Sequence, residues 1–284
     1  MDSLTHLTAE ANEIRKREGW MELAKAGLRY TTTIKGQFRR AVTVEYGGVS
    51  VTFDTTTAAA TEWFYPRYYD GSLHEPALTR RLLQKLEPDS TFYDVGAHVG
   101  YFTVFGAAIC VNGEVHAFEI DPTFVDTIRR SLNRNDFDAE ITQGAVSTEC
   151  GTDLSYTSGS GSSTKVSESE DRSTVESISL DEYTRVHSPP DVMKVDVEGY
   201  EYNVLKGAED LLANGHPEVL FLEVHPENLR EFGSSPNDIT ALLNRHDYNW
   251  MNFDHRTDSS EVKRQPMAEI SENTMYIVES ETND

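Results

Sequence analysis

Apolar positions recur along this chain with two different periods. Val42, Val44 and Tyr46, then Gly47-Gly48, then Val49, Val51 and Phe53 alternate sides about a turn, which predicts a β-hairpin. Leu4, Leu7, Ala11 and Ile14 repeat at helical spacing behind Ser3, a candidate N-cap. The aromatic cluster Trp63, Phe64, Tyr65, Tyr68 and Tyr69 precedes an amphipathic helix from about residue 75 to 86. Beyond Pro88 the rhythm changes. TFYDVGA, EVHAFEI, AEITQGAV, DVMKVDVEG and EVLFLEVH read as strands, several of them apolar on both faces. Between them lie helical patterns: the almost wholly apolar YFTVFGAAICV, a helix opened by Asp121-Pro122, and one carrying Val204, Leu205, Ala208, Leu211 and Leu212. A helix near 239–243 and strands near 248–253 and 275–278 follow. Alternation of this kind predicts an α/β fold: a mostly parallel sheet with helices on both faces. Residues 1–72 read as an N-terminal cap of helix and hairpin, and 73–284 as the α/β domain. A serine-rich insertion at 150–179 interrupts that domain; it is expected to be an exposed loop or frayed hairpin, or a substrate lid.

Charge narrows the choice of partners. The formal net charge is −23, spread along the chain, with hydrophobic residues at 38% and charged residues at 26%. A diffuse acidic surface repels phosphate backbones and anionic lipid, so nucleic acid and membrane surfaces are not expected partners. It is also the pattern of a protein soluble in concentrated salt. No stretch reaches the roughly 18–20 apolar residues of a membrane span, and the N-terminus has no apolar core of signal-peptide length. Cys110 and Cys150, the two cysteines, read as free thiols, consistent with a cytoplasmic setting.

The segment DVGAHVG, Asp94 to Gly100, ends the first parallel strand and opens a helix. In an open parallel sheet the ligand lies outside the carboxyl ends of the strands. Gly96 and Gly100 permit close approach of the backbone, and the helix start offers N–H groups and a positive dipole end to a carboxylate or phosphate. Asp94 would repel a phosphate and suits a cationic amine. Glu119 ends the second strand, where an acid commonly accepts hydrogen bonds from ribose hydroxyls. Ribose, an amine and a carboxylate without a pyrophosphate describe S-adenosylmethionine. The other candidate cofactor contacts are Ala97, His98, Phe102, Ile120, Ala145, Val146 and Asp196. The plain alternative is that the glycines serve packing.

With those residues in view, the stretch from about 75 to 227 resembles the FkbM family of S-adenosylmethionine-dependent methyltransferases. DVGAHVGYFTVF, VHAFEIDP, GAVS at 144–147, SLDEY at 179–183, MKVDVEGYEYNVLKGA at 193–208 and FLEVHP at 221–226 carry the resemblance jointly. Two departures are local: His98 stands where Asn is usual, and Ile120-Asp121 where Pro usually follows the acid. The resemblance implies a class I, Rossmann-like fold, with a seven-stranded sheet whose last strand is antiparallel. It also implies O-methylation, often of a sugar hydroxyl in a glycan or natural product.

Methyl transfer requires alignment of nucleophile, methyl and sulfur and, for a hydroxyl acceptor, a base. Lys194, Asp196 and Glu198 alternate onto one face of the fourth strand, and Glu223 and His225 share a face at the end of the fifth. These five are the candidate catalytic residues. Three charges on one face are costly unless used or paired, so the plain alternative is a Lys194–Glu pair with Asp196 capping the next helix. Asp196 with Glu223 could hold a divalent metal, but no tight His/Asp cluster is legible and no metal ligands are assigned. The expected acceptor is a small-molecule or lipid-linked glycan, methylated on a sugar hydroxyl or a uronic acid carboxylate. Two rival readings are an NAD-dependent oxidoreductase, which lacks its G-x-G-x-x-G here, and a non-catalytic adenosylmethionine-binding protein.

Overall fold

The computed structural model of the protein describes residues 40–158, 164–166, 173–259 and 261–281; the helix expected behind Ser3 lies outside the described residues. The hairpin forms where alternation placed it. Strands β1 (Ala41–Tyr46) and β2 (Val49–Asp54) pair antiparallel, and Gly47 and Gly48 both take positive φ, as a two-residue turn of this kind demands. Its inner face, Val42, Val44, Val51 and Phe53, is buried, with Phe53 stacked on Tyr101. The N–H groups of Thr52 and Asp54 donate to Asn135 Oδ1 (2.8 Å) and Ser131 Oγ (3.0 Å), docking the hairpin on the helix Pro122–Asn135.

The central sheet winds outward from β3 (Thr91–Val95) in two directions. On one side lie β4 (Glu114–Glu119) and β5 (Glu140–Gln143), both parallel to it. The strands β6 (Ala145–Val146), β7 (Asp153–Ser158), β8 (Thr164–Val166) and β9 (Ser173–Ile178) form a separate sheet in the order β6-β9-β7-β8. On the other side of β3 lie β10 (Val192–Val195) and β11 (Val219–Val224), again parallel. Then β14 (Thr274–Ser280) pairs antiparallel with both β11 and β12 (Tyr248–Phe253), so β12 runs the same way as β11. The last strand of the chain is thus antiparallel to its neighbours, as expected. Among the described residues the sheet has eight strands rather than seven, because the two-residue β13 (Val262–Lys263) adds to the edge of β12. Every residue of β3 is buried, as a strand covered by helices on both faces should be. Strand order reverses between β3 and β10, and a crevice opens at such a switch point.

Two expected elements divide. AEITQGAV is not one strand: residues 140–143 stay in the central sheet, while Ala145 and Val146 pair with β9. Gly144 marks the break; a Cβ there would meet Ile178 Cδ1 at 2.2 Å. The helix expected after β10 is two, Glu201–Lys206 and Glu209–Ala213. At the junction, the Gly207 carbonyl accepts from the Asp181 N–H (2.8 Å) and Ser179 Oγ (3.0 Å). A Cβ on Gly207 would fall 1.8 Å from Ser147 O. Asp181 then accepts from the N–H groups of Asp210 and Leu211, starting the second helix. Three of the family-like segments, GAVS, SLDEY and the KGA of residues 206–208, therefore meet at one structural junction. Within the serine-rich insertion, β7 and β8 form a hairpin, and Tyr156 and Val166 pack against Ala145, Val175 and Tyr200.

Candidate active site

A cavity of about 300 Å³ opens at the carboxyl ends of β3, β4, β10 and β11. Gly96, Ala97, His98, Phe102, Glu119, Ile120, Ala145, Val146, Lys194, Asp196, Glu198, Glu223 and His225 all line it. Asp94 and Gly100 are absent from its lining. Asp94 is fully buried and its Oδ2 accepts a hydrogen bond from Thr103 Oγ1 (2.6 Å), so it ties down the first turn of the helix Tyr101–Ile109, while its Oδ1 has no hydrogen-bond partner. Burial pushes its carboxyl above the usual range, against the attraction of Lys194 at 3.8 Å. The glycines are demanded by packing before any ligand is considered. Gly96 has φ +78°, and a Cβ there would lie 1.9 Å from Asp196 O; one on Gly100 would lie 2.7 Å from Ile128 Cγ1. The N–H groups of Gly96 and Ala97 both donate to Phe118 O, so these two are spent on β4.

Glu119 closes the β4 end. Its Oε2 accepts from the His98 N–H (2.7 Å) and its Oε1 from the Asp121 N–H (2.9 Å). Burial pushes its carboxyl up to about 7 even so. His98 sits in the left-handed region, its ring edge-on to Trp63 and tilted against Phe124. Burial holds it down to about 4, and its Nε2 is buried without a hydrogen-bond partner.

The β10–β11 end is a charge cluster. Lys194 is buried under the Phe102 ring, 3.5 Å from Asp196 Oδ2 and 3.8 Å from Asp94 Oδ1. Its partners are thus two aspartates rather than a Glu, and Asp196 does not cap the following helix. Burial alone would raise the Asp196 carboxyl, but Lys194 and His225 bring it below the ordinary value. His225 shows the opposite balance. Burial disfavours its charge, but the hydrogen bond from its Nδ1 to Glu201 Oε1 (2.7 Å), the Glu201 charge, and Asp196 and Glu223 push it up to about 9. Its Nε2 faces Glu198 Oε2 at 3.6 Å and Asp196 and Glu223 at 3.9 Å each. Burial and the Asp196 charge push Glu223 up to about 8 and Glu75 up to about 7. Arg256 reaches Glu223 Oε1 at 3.2 Å.

Four residues of this cluster escape the sequence reading. Glu201 is wholly buried and bonded to His225, yet it lies one position into a helix, and its partner is 24 residues later. His255 and Arg256 follow β12; its carboxyl end faces the same side as that of β11, so the strand-end rule applied once more would have flagged them. Glu75 carries no sequence signal; it precedes the helix Pro76–Lys85 in the left-handed region.

The Methyltransferase FkbM domain matches residues 94–249. A hexuronic acid methyltransferase, AglP, of Haloferax volcanii is 30% identical over 174 residues, 60% of this chain and 67% of the relative. Among solved structures, a precorrin-6y C5,15-methyltransferase from Geobacter metallireducens aligns with a TM-score of 0.39 at 14% identity, over 70% of this chain and 85% of that one. An rRNA methylase from Streptococcus thermophilus aligns with a TM-score of 0.44 at 14% identity, over 74% and 98%. The sheet order, the cavity at its switch point and the domain match define a class I, Rossmann-like methyltransferase. Within that class the chain belongs to the FkbM methyltransferase family.

Proposed function

We propose that the protein transfers a methyl group from S-adenosylmethionine to a carboxylate oxygen of a uronic acid in a glycan. The observation that carries this reading is His225, held up to about 9 by Glu201, Asp196 and Glu223 against the opposing effect of burial. At neutral pH it is a cation, a poor proton acceptor and a good carboxylate partner, with Arg256 on the same wall. A hydroxyl acceptor needs a base, whereas a carboxylate is already an anion. The relative named a hexuronic acid methyltransferase supports the same acceptor class.

The β4 end fits the donor. Each Glu119 oxygen has one lone pair on a backbone N–H and one left for a ribose hydroxyl. The buried, unpartnered Nε2 of His98 offers a further polar contact on the same wall. Bound S-adenosylmethionine supplies an electrophilic methyl on a sulfonium that is already a good leaving group. Strands β4 and β11 are three spacings apart in the sheet, about 14 Å, so ribose and acceptor carboxylate occupy opposite ends of the cavity. Asp196, held ionised by Lys194 and His225, lies between them. The chain's own work is orientation: His225 and Arg256 fix the acceptor, Asp196 and Lys194 the space between, and Glu119 the donor.

The test is the pH dependence of kcat/KM for transfer to a uronate-bearing acceptor. Because the protonated His225 is the working form, the rate should fall as pH rises through about 9. A rate that climbs through the same interval would show His225 acting as a base, and so a hydroxyl acceptor.

A further inference from the structure

Glu75, Glu223 and His255 come from three separate parts of the chain: the residue before the helix Pro76–Lys85, the end of β11 and the loop after β12. One ligand atom from each lies within 4.8 Å of the other two. His255 Nε2 is 3.4 Å from Glu75 Oε1 and 3.5 Å from Glu223 Oε1. His255 is 3% exposed and Glu223 2%, and His255 Nε2 has no hydrogen-bond partner. A buried imidazole nitrogen aimed between two carboxylate oxygens, bonded to neither, lacks something. The spacing says what. Ligand atoms arranged tetrahedrally at about 2.1 Å from a Zn²⁺ ion stand about 3.4 Å from one another. One nitrogen and two carboxylate oxygens are a donor set that such an ion accepts.

We propose that Glu75, Glu223 and His255 bind a four-coordinate divalent metal ion of the Zn²⁺ class, with its remaining position facing the cavity that Glu75 and Glu223 line. Arg256 donates to the same Glu223 oxygen at 3.2 Å from the cavity side, with a side chain 62% exposed. The neighbouring group Asp196, Glu198 and His225 also brings three ligand atoms together. It does not make the same case. No atom of those three is buried without a hydrogen-bond partner, whereas His255 Nε2 is.

The site is tested without methyl donor or acceptor, so its outcome is separate from that of the proposed reaction. The full chain, stripped with EDTA and dialysed, is titrated with ZnCl₂ by calorimetry. The expected result is one ion per chain. His255→Gln and Glu75→Gln should each weaken binding by more than the roughly 10–100-fold that loss of an outer-shell partner costs. Glu198→Gln should leave the affinity within about threefold. Loading the wild-type chain with Co²⁺ gives a second readout that needs no variant: strong visible absorption of a four-coordinate ion, displaced by Zn²⁺. No saturable binding, a weak six-coordinate Co²⁺ spectrum, or binding lost in Glu198→Gln and kept in His255→Gln would each overturn the proposal.

Discussion

Asp196 and Glu119 are acids at strand ends of one cavity, and their neighbours give them opposite characters. Asp196 has Lys194 and His225 and stays ionised; Glu119 has only backbone N–H groups and is pushed up to about 7 by burial. In the proposed donor site Glu119 accepts charge-assisted hydrogen bonds from ribose that are together worth roughly 1.5–3 kcal/mol. Glu119→Ala should therefore bind S-adenosylmethionine about 10–100-fold more weakly by calorimetry, with an unchanged circular dichroism spectrum; undiminished affinity would place the donor elsewhere. Glu201→Gln tests the other end. Losing the charge 2.7 Å from His225 Nδ1 should lower the His225 pKa by about 1 unit or more, seen by NMR titration. The folded-state pKa of His225 lies above its ordinary value. Its contribution to stability is therefore complete below about 6.5 and lost as pH rises through about 9, and this alkaline loss should shrink in Glu201→Gln. At this scale the sequence names strand-end residues that the fold brings to one cavity, but not their partners. Asp94 reads as a ligand contact; the hydrogen bond it accepts from Thr103, which ties down the next helix, is visible only once the turn is built.

Elements were legible where a period persisted long enough. The hairpin of β1 and β2, the strands β3, β4 and β11 and the helices around them fall close to where alternation placed them. The divided strand after β5 and the divided helix after β10 were not legible. Their breaks come from tertiary contact at Gly144 and Gly207, which leaves no mark in hydrophobic pattern. Gly207 gives a prediction whose sign separates these causes. In an exposed helix, Gly→Ala stabilises by up to about 1 kcal/mol. Here the new Cβ would fall 1.8 Å from Ser147 O, so Gly207→Ala should instead destabilise by about 1–3 kcal/mol in urea denaturation. A stabilised variant would mean that the junction of GAVS, SLDEY and KGA does not hold the two helices apart.

The whole molecule carries a net charge of −23, and no described helix is long and apolar enough to cross a membrane. Self-repulsion among so many acids opposes the compact state, and added salt screens it as the Debye length falls from about 10 Å at 0.1 M to about 3 Å at 1 M. The melting temperature should therefore rise between 0.1 M and 2 M KCl; a flat or falling curve would show that the acids are compensated within the fold. The cavity runs from Glu119 at the end of β4 to the charge cluster at the ends of β10 and β11, and the central proposal is that a uronate carboxyl is methylated there. The direct measurement uses methyl-labelled S-adenosylmethionine with a uronate-bearing oligosaccharide, and with the same oligosaccharide after its carboxyls have been reduced to alcohols. The account predicts label only in the uronate, released as methanol by mild alkali because it is held as an ester. Label that survives alkali as an ether, or that enters the reduced acceptor equally well, would contradict it.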